Sequence, residues 1–431
     1  MKNKWLIALA AVGIHMSIGS VYAFSVLTRP LMAEFGFTLA ETTWTFSLAI
    51  LFLGLSAGLL GTLVENVGPK VSGLISAAFF TTGLLGSALA VHLGSLWLLY
   101  LSYGVIGGIG LGVGYVTPVS TLVKYFPRHR GFATGLAIMG FGFASFIASP
   151  LMVFLIEHVG LVGNFLVLAA LYGTVMVLSA SYLAPPKEDS FIELAEHAVA
   201  RTRLIQHQVS ANAALRTWRF YALWWIFFVN ISCGIALLAV ASPMAQEVAG
   251  MSVEGAAAMV GVIGLVNGAG RILWSSASDW LGRGATYVLF FILEVGAFHL
   301  LSSTTGLMAF QILVLLIVSC YGGGFACMPA YISDLFGVKH LSAIHGRILT
   351  AWGFAGIAGP LLLSFLKEHT EGYAASLEVF AGLFVVNILI SAALWKSLKK
   401  RNRAISKAAA AAAAADLRGT NVAADRQTAT A

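Results

Sequence analysis

The sequence predicts an all-α membrane protein, with twelve transmembrane helices in two six-helix bundles that form a 6+6 pseudo-repeat. Three observations predict it. Of 431 residues, 59% are hydrophobic and only 10% charged, with a mean hydropathy of +0.88, whereas a soluble domain carries about 25% charged residues. Apolar stretches of about 20 residues, the length that crosses a bilayer, recur along nearly the whole chain. The basic residues are spread unevenly, and an alternating topology explains where they fall.

The spans are expected at 5–28, 42–64, 71–91, 95–122, 131–156, 160–183, 218–245, 255–278, 286–303, 306–332, 342–366 and 374–396. The first starts "MKNKWLIALAAVG", a basic start and an apolar run that resembles a secretory signal. The run is longer than a signal core, and removing it would spoil the charge pattern, so it reads as a helix. With the N-terminus inside, all 25 Lys and Arg face inward except Arg29 and Lys367, which face outward, and Arg271, which is buried. That bias places both termini in the cytoplasm and explains the net charge of +7 without nucleic acid; the membrane is expected to be a bacterial inner membrane.

Pro185 and Pro186 stop the sixth span. The hydrophilic gap 184–217 then reads as a central cytoplasmic loop between an N-terminal bundle, 1–183, and a C-terminal bundle, 218–397. Within the gap, Ser190 and Glu193 fit a capping box, so a short interfacial helix is expected. The tail, 398–431, begins with basic residues suited to anionic headgroups and is expected to fray beyond them. The two halves repeat each other. Gly61, Glu65 and Gly68 in "GTLVENVGPK" match Ser275, Asp279 and Gly282 in "SSASDWLGR" at a constant offset of 214 residues, and Pro118 matches Pro329 after the fourth and tenth spans.

Several chemistries lack their residues. The three cysteines, Cys233, Cys320 and Cys327, form no CxxC pair, so neither a disulfide framework nor a zinc site is indicated. There is no GxxxxGK[ST] and no HExxH, and no metal, cofactor or enzymatic function is expected. The glycine-rich "GVIGGIGLGVGY" lies inside a span and reads as tight helix packing.

One residue stands out against this background. Arg271 sits in "GLVNGAGRILWSSASDWLGR" with no acid beside it. An arginine at bilayer depth costs several kcal/mol on most scales and normally faces an interior path. Its planar fork matches a carboxylate bidentately. Asn267 lies four residues earlier on the same helix face, and Gly264 and Gly268 keep that region slim. The functional reading is an anchor for a substrate carboxylate, with Asn267 orienting it. The alternative is a structural acid on another helix, for which Glu294 and Glu378 are the candidates.

Twelve spans, the 6+6 repeat and the loop "GTLVENVGPK" resemble the major facilitator superfamily, with Glu65 where that family's loop usually has Asp and Asn66 where it has a basic residue. More narrowly, "YAFSVLTRPLMAEFG", "GVGYVTPVSTLVKYFPRHRGFATGLAIMGFG", "NGAGRILWSSASDWLGR" and "FGVKHLSAIHGRILTAWGFAGIAGP" resemble the oxalate/formate antiporter group and its monocarboxylate-transporter relatives. The resemblance covers about residues 5–396. It implies a secondary transporter working by alternating access, and both groups carry an arginine matching Arg271. It also puts the eighth helix at the central cavity and the ninth and twelfth at the periphery. Oxalate carriers of the group have a lysine in the eleventh helix, where this chain has Trp352. A single buried cation balances one negative charge, so a monocarboxylate such as lactate, pyruvate or formate is expected over oxalate.

The central helices then offer Tyr22, Tyr115, Asn230, Tyr321 and Phe325 as further lining residues, each with simple packing as its alternative. His15 and Glu294, with His299 and Glu378 behind them, are candidate proton carriers, although a neutral packing histidine is the plainer account of His15. A proton or an exchanged anion must offset the charge of an anion moved against the membrane potential. Glu65, Lys70, Asp279, Arg283 and Arg130 are expected to stabilise one gate state through charge pairs and helix-end dipoles. The expected partners are a small carboxylate, a proton and the lipid bilayer, and the protein is expected to act as a monomer. Rival readings are an oxalate/formate antiporter, a membrane sensor that binds carboxylate without moving it, and a multidrug exporter.

Overall fold

The computed structural model describes residues 2–186, 208–370 and 372–428. The interfacial helix expected from Ser190 and Glu193 lies outside the described residues. Among those described, ten helices are long and apolar enough to cross a bilayer, and two of them, Glu41–His92 and Arg130–Tyr182, run to 52 and 53 residues. At about 1.5 Å per residue, each would reach more than twice across a hydrocarbon core of about 30 Å. Each is broken by one glycine with left-handed φ: Gly68 at φ 78°, ψ 170° and Gly160 at φ 72°, ψ 179°. Glycine takes that conformation without the steric penalty a Cβ brings.

The neighbours of these segments show that the chain reverses at both glycines. Gly104, Gly108 and Gly112 pack on Leu48, Phe52 and Ser56, with both numbers rising, whereas Gly110 and Gly114 pack on Phe80 and Ser76, with one number falling. The segment before Gly68 is therefore parallel to Leu96–Tyr125 and the segment after it antiparallel. Likewise, Gly19 packs on Phe141 and Ala144, and Gly140 on His15, in parallel, while Gly13 meets Ser179 and Lys2 reaches the Tyr182 carbonyl, antiparallel. Ten helices thus make twelve crossings.

The spans, in order, are Lys4–Ala23 (span 1), the two halves of Glu41–His92 (spans 2 and 3), Leu96–Tyr125 (span 4) and the two halves of Arg130–Tyr182 (spans 5 and 6). They continue with Trp218–Ala249, Val253–Leu281, Arg283–Ser303, Leu307–Phe336, Leu341–Thr370 and Ala374–Thr428, spans 7 to 12. Two differ from expectation. Span 1 is not one straight helix to residue 28: a 3-10 turn at Ser20–Ala23 interrupts it, and a second helix, Ser25–Phe35, follows. The twelfth helix does not end at 396, and the tail expected to fray beyond its basic residues is helical to Thr428; alanine, which runs from Ala408 to Ala415, has the highest intrinsic helix propensity of any residue type.

Spans 1–6 and spans 7–12 pack as two bundles. Within the second, Tyr287 donates to the Gly324 carbonyl at 2.6 Å, Trp274 to Ser319 at 3.2 Å and Asn387 to the Ile226 carbonyl at 3.2 Å. The bundles meet along two antiparallel crossings, span 2 on span 11 and span 5 on span 8. Both are tightest toward the face that carries the start of span 1, here called the terminal side. A Cβ on Gly346 would stand 1.9 Å from the Ala57 carbonyl oxygen, and one on Gly131 1.9 Å from that of Ser275. Toward the opposite face, a Cβ on Gly261 or Gly264 of span 8 would meet nothing within 4 Å.

This geometry gives a first test. Gly346→Ala is expected to spread the bundles on the terminal side, since backbone must move to admit the methyl group. Spin labels on exposed Asn66 and Lys339, in a background without the native cysteines, should report longer distances; an unchanged distribution would mean the crossing yields locally instead.

Candidate functional site

Arg271 lies at mid-depth on span 8, fully buried. Its Nε donates to Asn267 Oδ1 at 3.3 Å, one helical turn away, and its Nη1 donates across the bundle interface to the Ile138 carbonyl of span 5 at 3.2 Å. Its Nη2 has no partner, and among the described residues no carboxylate pairs with it. Neighbouring glycines give the side chain its room. A Cβ on Gly322 of span 10 would stand 2.4 Å from the Asn267 carbonyl oxygen, and one on Gly142 of span 5 3.2 Å from Arg271 Nε. A Cβ on Gly268 would stand 2.9 Å from the Phe143 ring, whereas one on Gly264 would meet nothing within 4 Å, so the close approach expected of that pair is seen at Gly268.

Around the guanidinium the fold assembles an aromatic cage. The Phe325 and Phe141 ring centres lie 5.3 and 6.0 Å from Arg271 Cζ, on opposite bundles. Trp352 of span 11, fully buried, packs on Phe325 at 4.8 Å, Tyr115 at 5.3 Å and Phe141 at 5.6 Å. Tyr22, placed on the 3-10 turn that interrupts span 1, meets Phe141 edge-on at 5.0 Å, and Tyr321 meets Phe325 at 5.3 Å. The cage holds several buried polar atoms without partners: the Tyr22 and Tyr115 hydroxyls, Trp352 Nε1 and Arg271 Nη2. Buried polar atoms are normally satisfied, so these four form a set of donors suited to an acceptor that enters from outside.

The sequence-predicted residues divide. Arg271, Asn267, Tyr22, Tyr115, Tyr321, Phe325 and Trp352 come together. Asn230 stands behind Tyr321, its Nδ2 3.5 Å from the Tyr321 carbonyl. His15 borders the cage, with its ring 5.2 Å from Tyr115. Glu294 does not reach it: the side chain is buried within the second bundle beside Cys233 and Cys320. His299 and Glu378 pair with each other, exposed, at 2.9 Å. Neither acid weighed as a structural partner therefore touches Arg271. Phe141, at the centre of the cage, and His345, buried with both ring nitrogens unpartnered, were missed. Their only signal was an aromatic and a histidine inside otherwise apolar spans.

On the terminal side the repeated acids cross between bundles. Asp279 at the end of span 8 accepts from the Gly131 and Phe132 amides, at 2.9 and 3.0 Å, at the start of span 5. Glu65 at the end of span 2 accepts from the Ala343 amide at 3.1 Å at the start of span 11, and lies 3.2 Å from His340. Each acid thus caps a helix of the other bundle, where free amides and the helix dipole favour a negative charge. Arg283 pairs with Asp279 at 2.5 Å and with Asp334 at 3.5 Å, and Arg130 with Asp334 at 3.3 Å. Asp334 was not anticipated. Lys70 is exposed and lies outside this cluster.

A sequence model of the Major Facilitator Superfamily matches residues 7–360. The chain is similar to the uncharacterized transporter YhjX of Escherichia coli, 26% identical over 83% of this chain and 86% of that one. It is also similar to the oxalate:formate antiporter of Oxalobacter formigenes, 24% identical over 83% of each. The mouse monocarboxylate transporter 11 is 24% identical over 91% of this chain and 88% of its own length. Among solved structures, the proton:xylose symporter XylE superposes with a TM-score of 0.72 at 16% identity, covering 92% of this chain and 96% of that one.

Proposed function

Since the chain belongs to the Major Facilitator Superfamily, and is an integral multi-pass membrane protein, we propose that it is a secondary transporter carrying a small monocarboxylate such as lactate, pyruvate or formate by alternating access. One observation carries the reading: a fully buried arginine with an unpartnered Nη2, no carboxylate among the described residues to balance it, and aromatic rings around it. A carboxylate entering there satisfies the guanidinium by charge-assisted, bidentate bonds and removes the penalty of an uncompensated buried charge. Asn267 holds the guanidinium in plane. Tyr22, Tyr115, Tyr321 and Trp352 offer further donors, and the rings of Phe325 and Trp352 enclose a short alkyl part. Asn230 supports Tyr321 from behind.

Trp352 supports one carboxylate over two, because it adds an N–H but no second cation. In this reading the terminal side is cytoplasmic, the membrane is a bacterial inner membrane, and the cluster of Asp279, Arg283, Arg130, Asp334 and Glu65 holds the cytoplasmic side shut. Substrate neutralises the buried charge and so permits the bundles to rock about it. The driving ion is a proton or a second anion.

The test is counterflow in proteoliposomes preloaded with unlabelled anion. Labelled formate, lactate or pyruvate is expected to exchange at least about tenfold faster than oxalate, the discrimination that about 1.4 kcal/mol provides. The similarity to an oxalate:formate antiporter supports the second reading, and oxalate exchange at a matching rate would establish it. Saturable binding with no movement of any anion would instead indicate a sensor.

A further inference from the structure

On the terminal side, where span 2 meets span 11, lies a cavity of about 160 Å³ that the aromatic cage does not use. One face of span 4 supplies most of its polar wall. Thr117, Ser120, Thr121 and Lys124 stand three and four residues apart, on one side of the helix, and all four line the cavity. The three hydroxyl residues are buried. Ser120 and Thr121 return their hydroxyls to the Thr117 carbonyl at 3.1 and 2.7 Å. Lys124 has no such partner: it is half-buried, and among the described residues its Nζ makes neither a hydrogen bond nor an ion pair.

The other walls favour an anion too. Span 3 starts at the cavity with Gly68 and Pro69, and span 11 starts at Leu341, beside Ser342, which lines the cavity from the second bundle. The first-turn amides and the dipole at a helix start attract negative charge. The lining holds one carboxylate, that of Glu65, whose charge acts on Lys124. Glu65 is engaged elsewhere, with the Ala343 amide at 3.1 Å and His340 at 3.2 Å. The cavity thus presents one cation, hydroxyls that can turn to donate and one acceptor.

That set selects a ligand. Among the described residues no arginine lines the cavity, so nothing presents the flat fork that matches a carboxylate. A lysine acting as a point charge, with hydroxyls and helix starts around it, suits a phosphate group. Glu65 then discriminates between tetrahedral anions. Near neutral pH, inorganic phosphate and phosphomonoesters hold a proton that they can donate to a carboxylate. Sulfate and phosphodiesters hold none and set a bare negative charge against Glu65. A site built to bond a ligand's proton rejects the analogue that lacks it.

We propose that this cavity binds a protonated phosphate group, with Lys124 as its cation, Ser120 and Thr121 as donors and Glu65 as the acceptor of its proton. The phosphate is either inorganic or the headgroup of a phosphomonoester lipid. The site is separate from the cage and does not depend on what Arg271 binds.

The experiment titrates the full chain, in phosphatidylcholine nanodiscs and phosphate-free buffer, with inorganic phosphate and with sulfate by calorimetry. Phosphate should bind saturably, and sulfate about tenfold more weakly or worse. Lys124→Gln should weaken phosphate binding about tenfold or more. In Glu65→Gln the amide can donate where the carboxylate only accepted, so the preference for phosphate over sulfate should shrink or reverse. A merely structural Glu65 would lower both anions together. Discs carrying phosphatidic acid separate the two sources. A lower apparent phosphate affinity there than in discs carrying phosphatidylglycerol identifies the lipid monoester as the occupant, and equal affinity identifies free phosphate. No saturable phosphate binding up to about 10 mM, equal affinity for sulfate and phosphate in wild type, or undiminished binding in Lys124→Gln overturns the proposal. The sulfate comparison uses wild type alone, so it decides even where a variant fails to fold.

Discussion

Arg271→Met is expected to abolish transport while leaving the protein as stable as wild type or more so. The two effects have opposite signs because the residue is buried without a counter-charge. Its removal gives up two hydrogen bonds, to Asn267 and to the Ile138 carbonyl, worth about 0.5–1.5 kcal/mol each, somewhat more from a charged donor. It also removes a desolvation penalty of several kcal/mol for an unpaired charge. Methionine fills much of the volume, so the cavity cost stays small. Binding loses the charge-assisted pair that the guanidinium would make with a carboxylate, so counterflow should fall by at least about a hundredfold, equivalent to about 2.7 kcal/mol. Arg271→Lys should rescue little, since an ammonium lacks the planar fork. Thermal unfolding in detergent and counterflow measured on one preparation decide the matter. A variant that still exchanges substrate at a third of the wild-type rate removes Arg271 from the site. One that melts far lower assigns the arginine a structural role.

Asp279→Asn should shift the protein toward a conformation opened on the terminal side. Asp279 is 4% exposed, bonds two amides of span 5 and pairs with Arg283, itself 8% exposed. The amide variant loses the charge pair and turns a donor toward groups that need an acceptor. The pair with Arg283 lies within one bundle and survives separation, so the shift comes from the two amide contacts, which cross between bundles and are absent once these separate. A hydrogen bond to a charged group is worth about 1.5–3 kcal/mol, and about 2 kcal/mol already moves a two-state equilibrium about thirtyfold. Label distances between positions 66 and 339 should lengthen more than in Glu65→Gln, whose carboxylate holds one amide and a histidine. Lys70→Ala serves as the control and should leave the distribution unchanged. Equal distributions in Asp279→Asn and wild type would show that the helix crossings alone hold this state.

Some of this was legible because the bilayer enforces it. Lipid cannot satisfy backbone polar groups, so apolar segments of spanning length must be helices, and hydropathy alone located spans 2 to 11 to within a few residues. Arg271 was legible for the same reason, since a charge within an apolar run has few structural explanations. The caps were half legible. The offset of 214 residues paired Glu65 with Asp279 but did not say that each would cap a helix of the opposite bundle. The repeat even suggested equal roles for Lys70 and Arg283. Yet Asp334, which completes the charge cluster in one half, has an uncharged counterpart in the other: the match of Pro118 to Pro329 sets Val123 in its place.

The sequence by itself determined which residues are too polar for lipid. Only the tertiary structure decided which of them meet. Glu294 and His15 are alike on paper, each a titratable group in an apolar span, but one is buried inside a bundle and the other borders the cage at the interface between bundles. Phe141 looked like one of many span phenylalanines, and its place over Arg271 follows from how span 5 crosses span 8. The physical reason is that hydropathy fixes a helix's depth in the membrane but not its rotation or its neighbours. Those depend on the close approaches that Gly131, Gly142, Gly322 and Gly346 permit, and a glycine in a sequence does not say which helix will come near it.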